Sequence, residues 1–370
     1  MEIDGEADIR KRFNQYSTRS KIEWESIWEN SIFILDANVL LNLHRYNETT
    51  SNDLIRVFEH ISDKLWIPFQ VALEYYENLE SVTIEQINQY EKVKNILRET
   101  TKKIKDDLDN LDLDKRHSRI NVEYLLDQIG NAIGDFQINL DELRKIQPDH
   151  HKRLHQKLEK LLEDKVGPAL KSQEDLNSLY KDAEERYKQK RPPGFMDTEK
   201  SKNKSNKTLY FNNDICYQCE YGDAIVWFQI IAEAKKRNAK SMIFVTDDYK
   251  EDWWRISGGQ KRGPRYELID EIQSKAGVEF FHLYSSDSFL EFANQKYKIE
   301  VDEDSIQQIK KVTKSDTSSS IVSKKNSNPE QKVLDWVIQT NSESQIVISE
   351  MEHYWPAPTI CTSHNVRLIC

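Results

Sequence analysis

Several acidic side chains of this chain sit where they could hold a metal ion together. Asp36, Glu74, Asp223 and the pair Asp247-Asp248 each follow an apolar run or open a helical pattern. These motifs contain no obvious basic partner for the acids. Carboxylates that share a site raise one another's pKa, and a bound divalent cation is the usual reason for such an arrangement. Because oxygen ligands suit Mg²⁺ or Mn²⁺, the pattern predicts a site for one of these ions.

The elements predicted around these acids place them at one edge of a sheet. Short apolar runs bounded by polar residues favour buried strands, and they span 31–36, 65–67, 241–246 and 278–283. Helical patterns alternate with them, which predicts an α/β fold with a doubly wound, mainly parallel sheet. Ligands bind such sheets outside the carboxyl ends of the strands. The acids are all expected at that edge.

Each acid also has a purely structural interpretation. Asp36 and Asp223 could cap the helices that follow them, and Asp247-Asp248 could cap the segment from Tyr249. Glu74 alone could be a solvated helix residue. Capping gives no reason for Glu74 to occur at the same edge, so a shared metal site is the favoured interpretation.

The pattern predicts one α/β domain with flanking segments. Residues 1–30 are predicted to be a helical lead, and residues 31–300 to form the α/β domain. A long helical insertion is predicted over 80–190, where apolar residues recur at helical spacing among many charges. Residues 301–331 are predicted to end a helix and continue as a polar linker. The short tail 332–370 is predicted to be a docking segment.

Composition restricts the classes of protein that fit. The net charge of −10 argues against a broad basic surface for nucleic acid, although local patches can serve. The first thirty residues show no secretory signal, and no apolar run is long enough to span a membrane. Four cysteines in 370 residues favour a reduced, cytoplasmic protein.

Several motifs, taken in order, resemble the PIN domain, a nuclease fold. They are Ile34–Leu41, Glu74, Gly222–Ala224 and Val245–Asp248. The resemblance is closest to the PIN-like branch with a long helical insertion. That branch shows the further segments Leu65–Glu74, Arg191–Phe195 with Asp197, and Lys250–Trp254. The resemblance covers about 31–298 and leaves the lead and the tail unexplained.

The resemblance implies metal-dependent hydrolysis of phosphodiester bonds. Asp36, Glu74, Asp223 and Asp248 would hold one or two Mg²⁺ or Mn²⁺ ions, with Asp247 as an outer ligand. A second set of residues would support these ligands or the scissile phosphate: Asn38, Thr246 and Asp197.

Basic residues cluster where loops of the same edge are predicted. One cluster is Arg191 with Lys200, Lys202, Lys204 and Lys207, and the other follows Gly258-Gly259. Arginine and lysine on flexible backbone can follow a phosphate chain. The residues predicted to bind substrate are Arg191, Lys261, Arg262 and Arg265. Trp253 and Trp254 could stack on bases, but core packing is favoured for both.

The predicted partner is nucleic acid, either RNA or single-stranded DNA. Stand-alone nucleases of this kind are often toxins or phage-defence effectors restrained by a partner. The resemblance therefore implies a regulatory protein that binds 332–370 or the insertion. Related domains commonly pair, so a homodimer is also expected.

Two other functions fit parts of the sequence. The acidic net charge and the unexplained tail would suit a catalytically silent PIN-like scaffold or binding module. The presence of all four acids argues against that alternative. A phosphatase with Asp36 as nucleophile ranks last, because such enzymes usually have a second Asp where this chain has Asn38.

Two further groups of potential metal ligands are given weaker interpretations. Cys216, Cys219, Cys361 and His364 have zinc-like spacing, but ordinary reduced thiols are favoured. His150-His151 and His155 lie in a charged helical pattern, which favours a solvated face over a metal site.

Overall fold

A computed structural model describes residues 14–16, 21–111, 122–197 and 208–322, with side chains over 15–16, 24–111, 122–197 and 208–313. The chain divides into two compact units, 1–313 and 314–370, and the fold described below belongs to the first. The strands are β1 (Ile32–Leu35), β2 (Leu65–Trp66), β3 (Leu209–Asn212), β4 (Ile215–Gln218), β5 (Ser241–Val245), β6 (Trp254–Ser257), β7 (Gln260–Pro264) and β8 (Phe280–Tyr284).

The helices account for most of the described residues. In chain order they are α1 (Lys21–Asn30), α2 (Ala37–Asn42), α3 (Glu48–His60), α4 (Phe69–Asp109), α5 (Val122–Leu162), α6 (Gln173–Lys188), α7 (Gly222–Arg237), α8 (Tyr266–Ala276), α9 (Ser286–Tyr297) and α10 (Glu303–Val322). No helix among these residues is long and apolar enough to cross a membrane.

The central sheet has four parallel strands in the order β2-β1-β5-β8. This arrangement confirms the predicted α/β fold with a parallel sheet. The order places β1 and β5 side by side at the centre, with Leu35 opposite Val245. Successive side chains of a strand point to opposite faces, so both faces of these apolar strands must be covered.

Aromatic side chains cover both faces of the sheet. On one face Trp28 of α1 lies 5.3 Å from the ring of Phe33, and Phe289 of α9 lies 6.0 Å from it. On the other face the Trp253 ring lies 5.0 Å from that of Phe244. These residues are almost fully buried. Core packing was the favoured prediction for Trp253 and Trp254, and the burial of both side chains confirms it.

The helical insertion grows directly out of the α/β domain. Helix α4 begins beside the sheet and continues without a break for 41 residues. The antiparallel helix α5 returns beside it, and Tyr90 of α4 donates to Gln147 of α5 at 3.1 Å. After α5, residues 165–167 pair with Ile67 at the edge of the sheet. The insertion therefore has no structural boundary at residue 80.

Two antiparallel hairpins were not predicted from the sequence. One is β3–β4, and the other is β6–β7, which includes the segment predicted to be a flexible basic loop. Gly258 and Gly259 form the turn of β6–β7 with φ values of +60° and +71°. Two-residue hairpin turns of this kind need positive φ at both positions, which glycine adopts without strain. The basic side chains of this segment are thus held on a β-ribbon.

Helix α10 runs through much of the segment predicted to be a linker. Ile309 is fully buried, and Ile306 and Val312 pack against the same core. Their spacing of three residues gives the helix an apolar side, which the abundance of Ser, Thr and Lys further along obscures in the sequence. Residues 323–370, including the predicted docking segment, lie outside the described residues.

A chain of polar side chains joins the insertion to the α/β domain. His44 follows α2, and its Nδ1 lies 3.4 Å from Nδ1 of His151 on α5. Its Nε2 lies 3.1 Å from the hydroxyl of Tyr75 on α4, which lies 3.0 Å from Nδ1 of His155. His44 and His151 are buried, so the predicted solvated face is wrong for His151. The error arose because His44, which covers it, is distant in sequence.

Burial of this pair makes stability depend on pH. It lowers the pKa of His44 to about 3 and that of His151 to about 4, from an ordinary value of 6.5. The unfolded chain therefore binds more protons than the folded chain between pH 6.5 and about 4. Stability is fully present above pH 6.5 and is lost as the pH falls, by about 2 kcal/mol per histidine at pH 5.

We expect the free energy of unfolding, measured by urea titration, to fall between pH 7 and pH 5 by more in the wild type than in His44→Gln. The glutamine cannot titrate. The comparison is therefore between the slopes of the free energy of unfolding against pH in the two proteins, and not between their absolute stabilities. Equal slopes in the two proteins would contradict this assignment.

Candidate active site

Asp36 lies where β1 meets β5 at the carboxyl edge of the sheet. Its backbone N–H donates to the carbonyl of Val245 at 3.0 Å, which fixes the residue against β5. One carboxylate oxygen accepts from the N–H of Ala37 at 2.7 Å and so caps α2. The other oxygen accepts from the Asn38 amide at 2.7 Å and from the Thr246 hydroxyl at 2.6 Å. Capping and site formation are thus combined in one side chain.

The other predicted acids surround Asp36. Burial raises the pKa of Asp36 to about 8; the Thr246 hydrogen bond lowers it, and the charges of Asp223, Glu74 and Asp248 raise it further. The structure therefore brings these four acids together, although strand ends and helix starts from distant parts of the chain supply them. The negative charges of the other three acids all disfavour the ionised form of Asp36.

Glu74 is aimed by its own helix and by α7. Gln70, one turn earlier on α4, donates its side-chain amide to Oε1 of Glu74 at 2.8 Å. A Cβ atom placed on Gly222 would lie only 2.5 Å from the same oxygen. The backbone of Gly222 is ordinary right-handed helix, so glycine is needed there for space. The role of Gln70 was missed, although its position four residues before Glu74 is a readable signal.

Lys250 is the basic partner that the sequence motifs did not reveal. Its ammonium nitrogen lies 2.7 Å from Oδ1 of Asp197, 2.7 Å from Oδ2 of Asp248 and 3.4 Å from Oδ2 of Asp223. Burial disfavours its charge, but these three acids hold the pKa of Lys250 above its usual range. The expectation of carboxylates without a cation was therefore wrong. The loop after β5 folds back on itself, and this fold cannot be read from the spacing of Asp248 and Lys250.

Asp252 is a further acid that the sequence argument missed. It is fully buried, and its Oδ2 accepts from the backbone N–H groups of Gly194 at 2.9 Å and Met196 at 3.2 Å. Its Oδ1 has no hydrogen-bond partner among the described residues. Burial first, and then the charge of Asp223, raises the pKa of Asp252 to about 7. Asp252 adds to the negative charge on the Lys250 side of the site.

Asp247 has a different environment from the acid next to it. Its carboxylate accepts from the N–H of Ser286 at 2.9 Å, from the Ser286 hydroxyl at 2.8 Å and from the Asn42 amide at 3.0 Å. These contacts tie the end of β5 to the start of α9 and to α2. The predicted role of Asp247 as an outer metal ligand stays a prediction, and its contacts are those of a structural acid.

Asn38 and Thr246 both join Asp36 to the loop after β5. The Asn38 side-chain oxygen accepts from the N–H of Asp247 at 3.0 Å, while its amide donates to Asp36. The Thr246 hydroxyl donates to Asp36 and accepts from the N–H of Asp248 at 3.1 Å. These contacts place both side chains directly behind the predicted ligands.

The residues predicted to bind substrate have diverse surroundings. Lys261 packs its ammonium 3.3 Å from the centre of the Tyr249 ring and 4.0 Å from that of Trp254. It also donates to the backbone carbonyl of Asp248 at 3.3 Å, and burial lowers its pKa to about 8. Lys261 thus braces the loop that carries Asp248, while Arg262 is exposed on the same hairpin.

Two other predicted arginines form ion pairs. Arg265 pairs with Glu267 at 2.6 Å, and Arg191 lies 3.4 Å from Glu271. The lysines predicted beside Arg191, at 200, 202, 204 and 207, lie outside the described residues. Cys216 and Cys219 form no disulfide with each other, and the residues of zinc-like spacing at 361 and 364 lie outside the described part of the chain.

Residues 32–268 match the family described as PIN like domain. The match covers more than half of the 370 residues, so the chain belongs to the PIN-like domain family. The resemblance predicted from the motifs is confirmed over that range. Comparison with curated proteins found no match, and comparison with solved structures found none. PIN-like domains are generally nucleases, and they typically use divalent metal ions.

The donor chemistry of this site fits a divalent cation. Carboxylate oxygens are the ligands that Mg²⁺ and Mn²⁺ prefer, and the charges of Asp223, Glu74 and Asp248 act on Asp36 in addition to its burial. Across the described residues, no three His, Cys, Asp or Glu side chains form a ready-made metal cage. Asp197, Asp223 and Asp248 instead contact the ammonium of Lys250.

We expect Thr246→Val to destabilise the protein by about 1–3 kcal/mol. The change keeps the shape of the fully buried side chain but removes the donor to Asp36 and the acceptor for the N–H of Asp248. Urea denaturation measures the loss. Thr246→Ser keeps the hydroxyl and should retain most of this stability, so an equal loss in both variants would show that the methyl group matters instead.

We expect Gly222→Ala to displace Glu74 with little change in melting temperature, because the contacted atom ends a flexible side chain. Calorimetry should then show weaker binding of Mn²⁺ than in the wild type. Gly130→Ala is the matched control, since its Cβ would meet nothing within 4 Å. Unchanged Mn²⁺ affinity in Gly222→Ala would remove Glu74 from the predicted ligand set.

Proposed function

We propose that this protein is a metal-dependent endonuclease that hydrolyses phosphodiester bonds in RNA or single-stranded DNA. The observation that carries the proposal is the convergence of four acids at one edge of the sheet. Thr246 joins Asp36 to Asp248, Lys250 joins Asp248 to Asp223, and Gly222 beside Asp223 lies against Glu74. Membership of the PIN-like family supports nuclease chemistry in general. The choice of metal and of nucleic acid rests on the residues of the site.

Asp36, Glu74, Asp223 and Asp248 would hold Mg²⁺ or Mn²⁺. When bound, such an ion neutralises charge on the phosphate and lowers the pKa of water, so that hydrolysis proceeds near neutral pH. The protein contributes orientation. Asn38 and Thr246 hold one oxygen of Asp36, and Gln70 holds one oxygen of Glu74.

A groove beside the β6–β7 hairpin offers a path for the substrate. It has a volume of about 790 Å³, and Arg255, Arg262 and Arg265 line it together with Tyr266. The Arg255 guanidinium lies 3.9 Å from the centre of the Tyr266 ring, and Glu251 and Glu267 also line the groove. The arginines could contact the phosphates of a single strand.

The insertion supports the proposal of a protein partner. Leu125, Phe136, Leu143 and Ile146 of α5 are exposed large apolar side chains. Their spacing aligns them along one side of the helix, which is typical of a helix that packs against another helix. A regulatory protein or a second copy of the chain would cover this stripe, as a restrained toxin or defence effector requires.

The test is cleavage of labelled single-stranded RNA and DNA with Mg²⁺, Mn²⁺ or EDTA. We expect cutting with metal, none with EDTA, and losses on the order of 10³-fold in Asp36→Asn and Asp223→Asn, since each removes a metal ligand. Asp63→Asn is the control, because Asp63 is exposed and precedes β2 at the opposite edge of the sheet.

Two results would contradict the proposal. Cutting that persists in Asp36→Asn at the wild-type rate would place the chemistry elsewhere. Absence of both cutting and Mn²⁺ binding would favour a PIN-like binding module, in which Lys250 helps to balance the acids without a metal ion.

A further inference from the structure

Lys250 occupies the centre of one half of the acidic cluster. Its ammonium contacts Asp197, Asp248 and Asp223, which come from three separate parts of the chain. Asp197 is almost completely buried. An ammonium group has three donors, and here three carboxylates lie around it. Lys250 is thus a cation held inside the site by three carboxylates, unlike a surface lysine that pairs with a single acid.

Asp248 is committed to Lys250 through both of its oxygens. Oδ2 lies 2.7 Å from the ammonium, and Oδ1 accepts from the backbone N–H of Lys250 at 2.9 Å. Each carboxylate oxygen has two lone pairs, so one further contact per oxygen is left for another cation. Any ion that Asp248 binds must therefore share the carboxylate with Lys250.

The other half of the cluster is held by different residues. Asp36 is fixed by Asn38 and Thr246, and Glu74 is fixed by Gln70. Asp223 lies between the halves, since it acts on Asp36 and also pairs with Lys250. A divalent ion would therefore have to be held by Asp36, Glu74 and Asp223, because a positive charge already lies among Asp197, Asp223 and Asp248.

In two-metal nucleases the ions lie about 3.5–4 Å apart and share carboxylates. A second ion that used Asp197, Asp223 and Asp248 would need the space that the Lys250 ammonium fills at 2.7–3.4 Å from their oxygens. We propose that Lys250 takes the place of the second metal ion, so that the active site binds one divalent ion per chain. This inference rests on the proposed metal-dependent function.

The consequence is a change in stoichiometry when Lys250 is removed. Lys250→Met keeps the length of the side chain but removes the ammonium that contacts Asp197, Asp223 and Asp248, and the buried Asp252 is a further acid near them. Carboxylates in that state repel one another and favour binding of a second ion.

The experiment is calorimetric titration of the full chain with Mn²⁺, checked by the fraction of Mn²⁺ whose free-ion magnetic resonance signal is lost. We expect one ion per chain in the wild type and two in Lys250→Met. Lys250→Arg keeps the charge and should bind one. Lys94→Met is the matched control, because Lys94 is a largely buried lysine that pairs with Asp141 in the insertion, and it should also bind one.

Two ions in the wild type would overturn the inference. So would one ion or none in a folded Lys250→Met, because Lys250 would then only position Asp248. If Lys250→Met fails to fold, as circular dichroism would show, the counts for the wild type and Lys250→Arg decide. No Mn²⁺ binding in the wild type, together with no cleavage, would instead defeat the proposed function itself.

Discussion

Buried negative charge at the carboxyl edge of the sheet is the constraint on which the rest of this structure depends. Asp36 is held there by the backbone of Val245 and by the hydroxyl of Thr246, so the pairing of β1 with β5 is also what builds the site. Acids gathered in this way are costly unless cations or donors balance them. Lys250, the capped helix α2 and the amides of Asn38 and Gln70 all serve that balance.

The balance explains why side chains that look alike in the sequence differ in the fold. Asp247 and Asp248 are neighbours, but Asp247 receives three donors from Ser286 and Asn42, while Asp248 faces Lys250. The two carboxylates contact different elements, and only that of Asp248 faces the cluster. The other is free to join β5 to α9, which keeps the loop after β5 in place.

The sheet and the positions of the acids could be predicted from the sequence because both follow from local patterns. Apolar runs ending at Asp36 and at Thr246 predict strands, and parallel strands bring their carboxyl ends to one edge. Lys250, Asp252 and His151 could not be assigned in the same way. Their partners Asp197, Gly194 and His44 are far away in the chain, and only tertiary packing brings them near. The β6–β7 hairpin was readable, because Gly258-Gly259 is a turn signal.

The unbroken course of α4 gives the insertion a mechanical relation to the chemistry. A helix of 41 residues is about 60 Å long, and Glu74 lies within its first two turns. No loop separates Glu74 from the part of α4 that lies in the insertion. The helix therefore connects the cluster of acids directly to the insertion. A force on the far end of α4 would tilt the helix at Glu74. Gly222 is the close contact that such a tilt would change. A displacement of the insertion that α4 transmits would therefore change the position of Glu74 relative to Gly222.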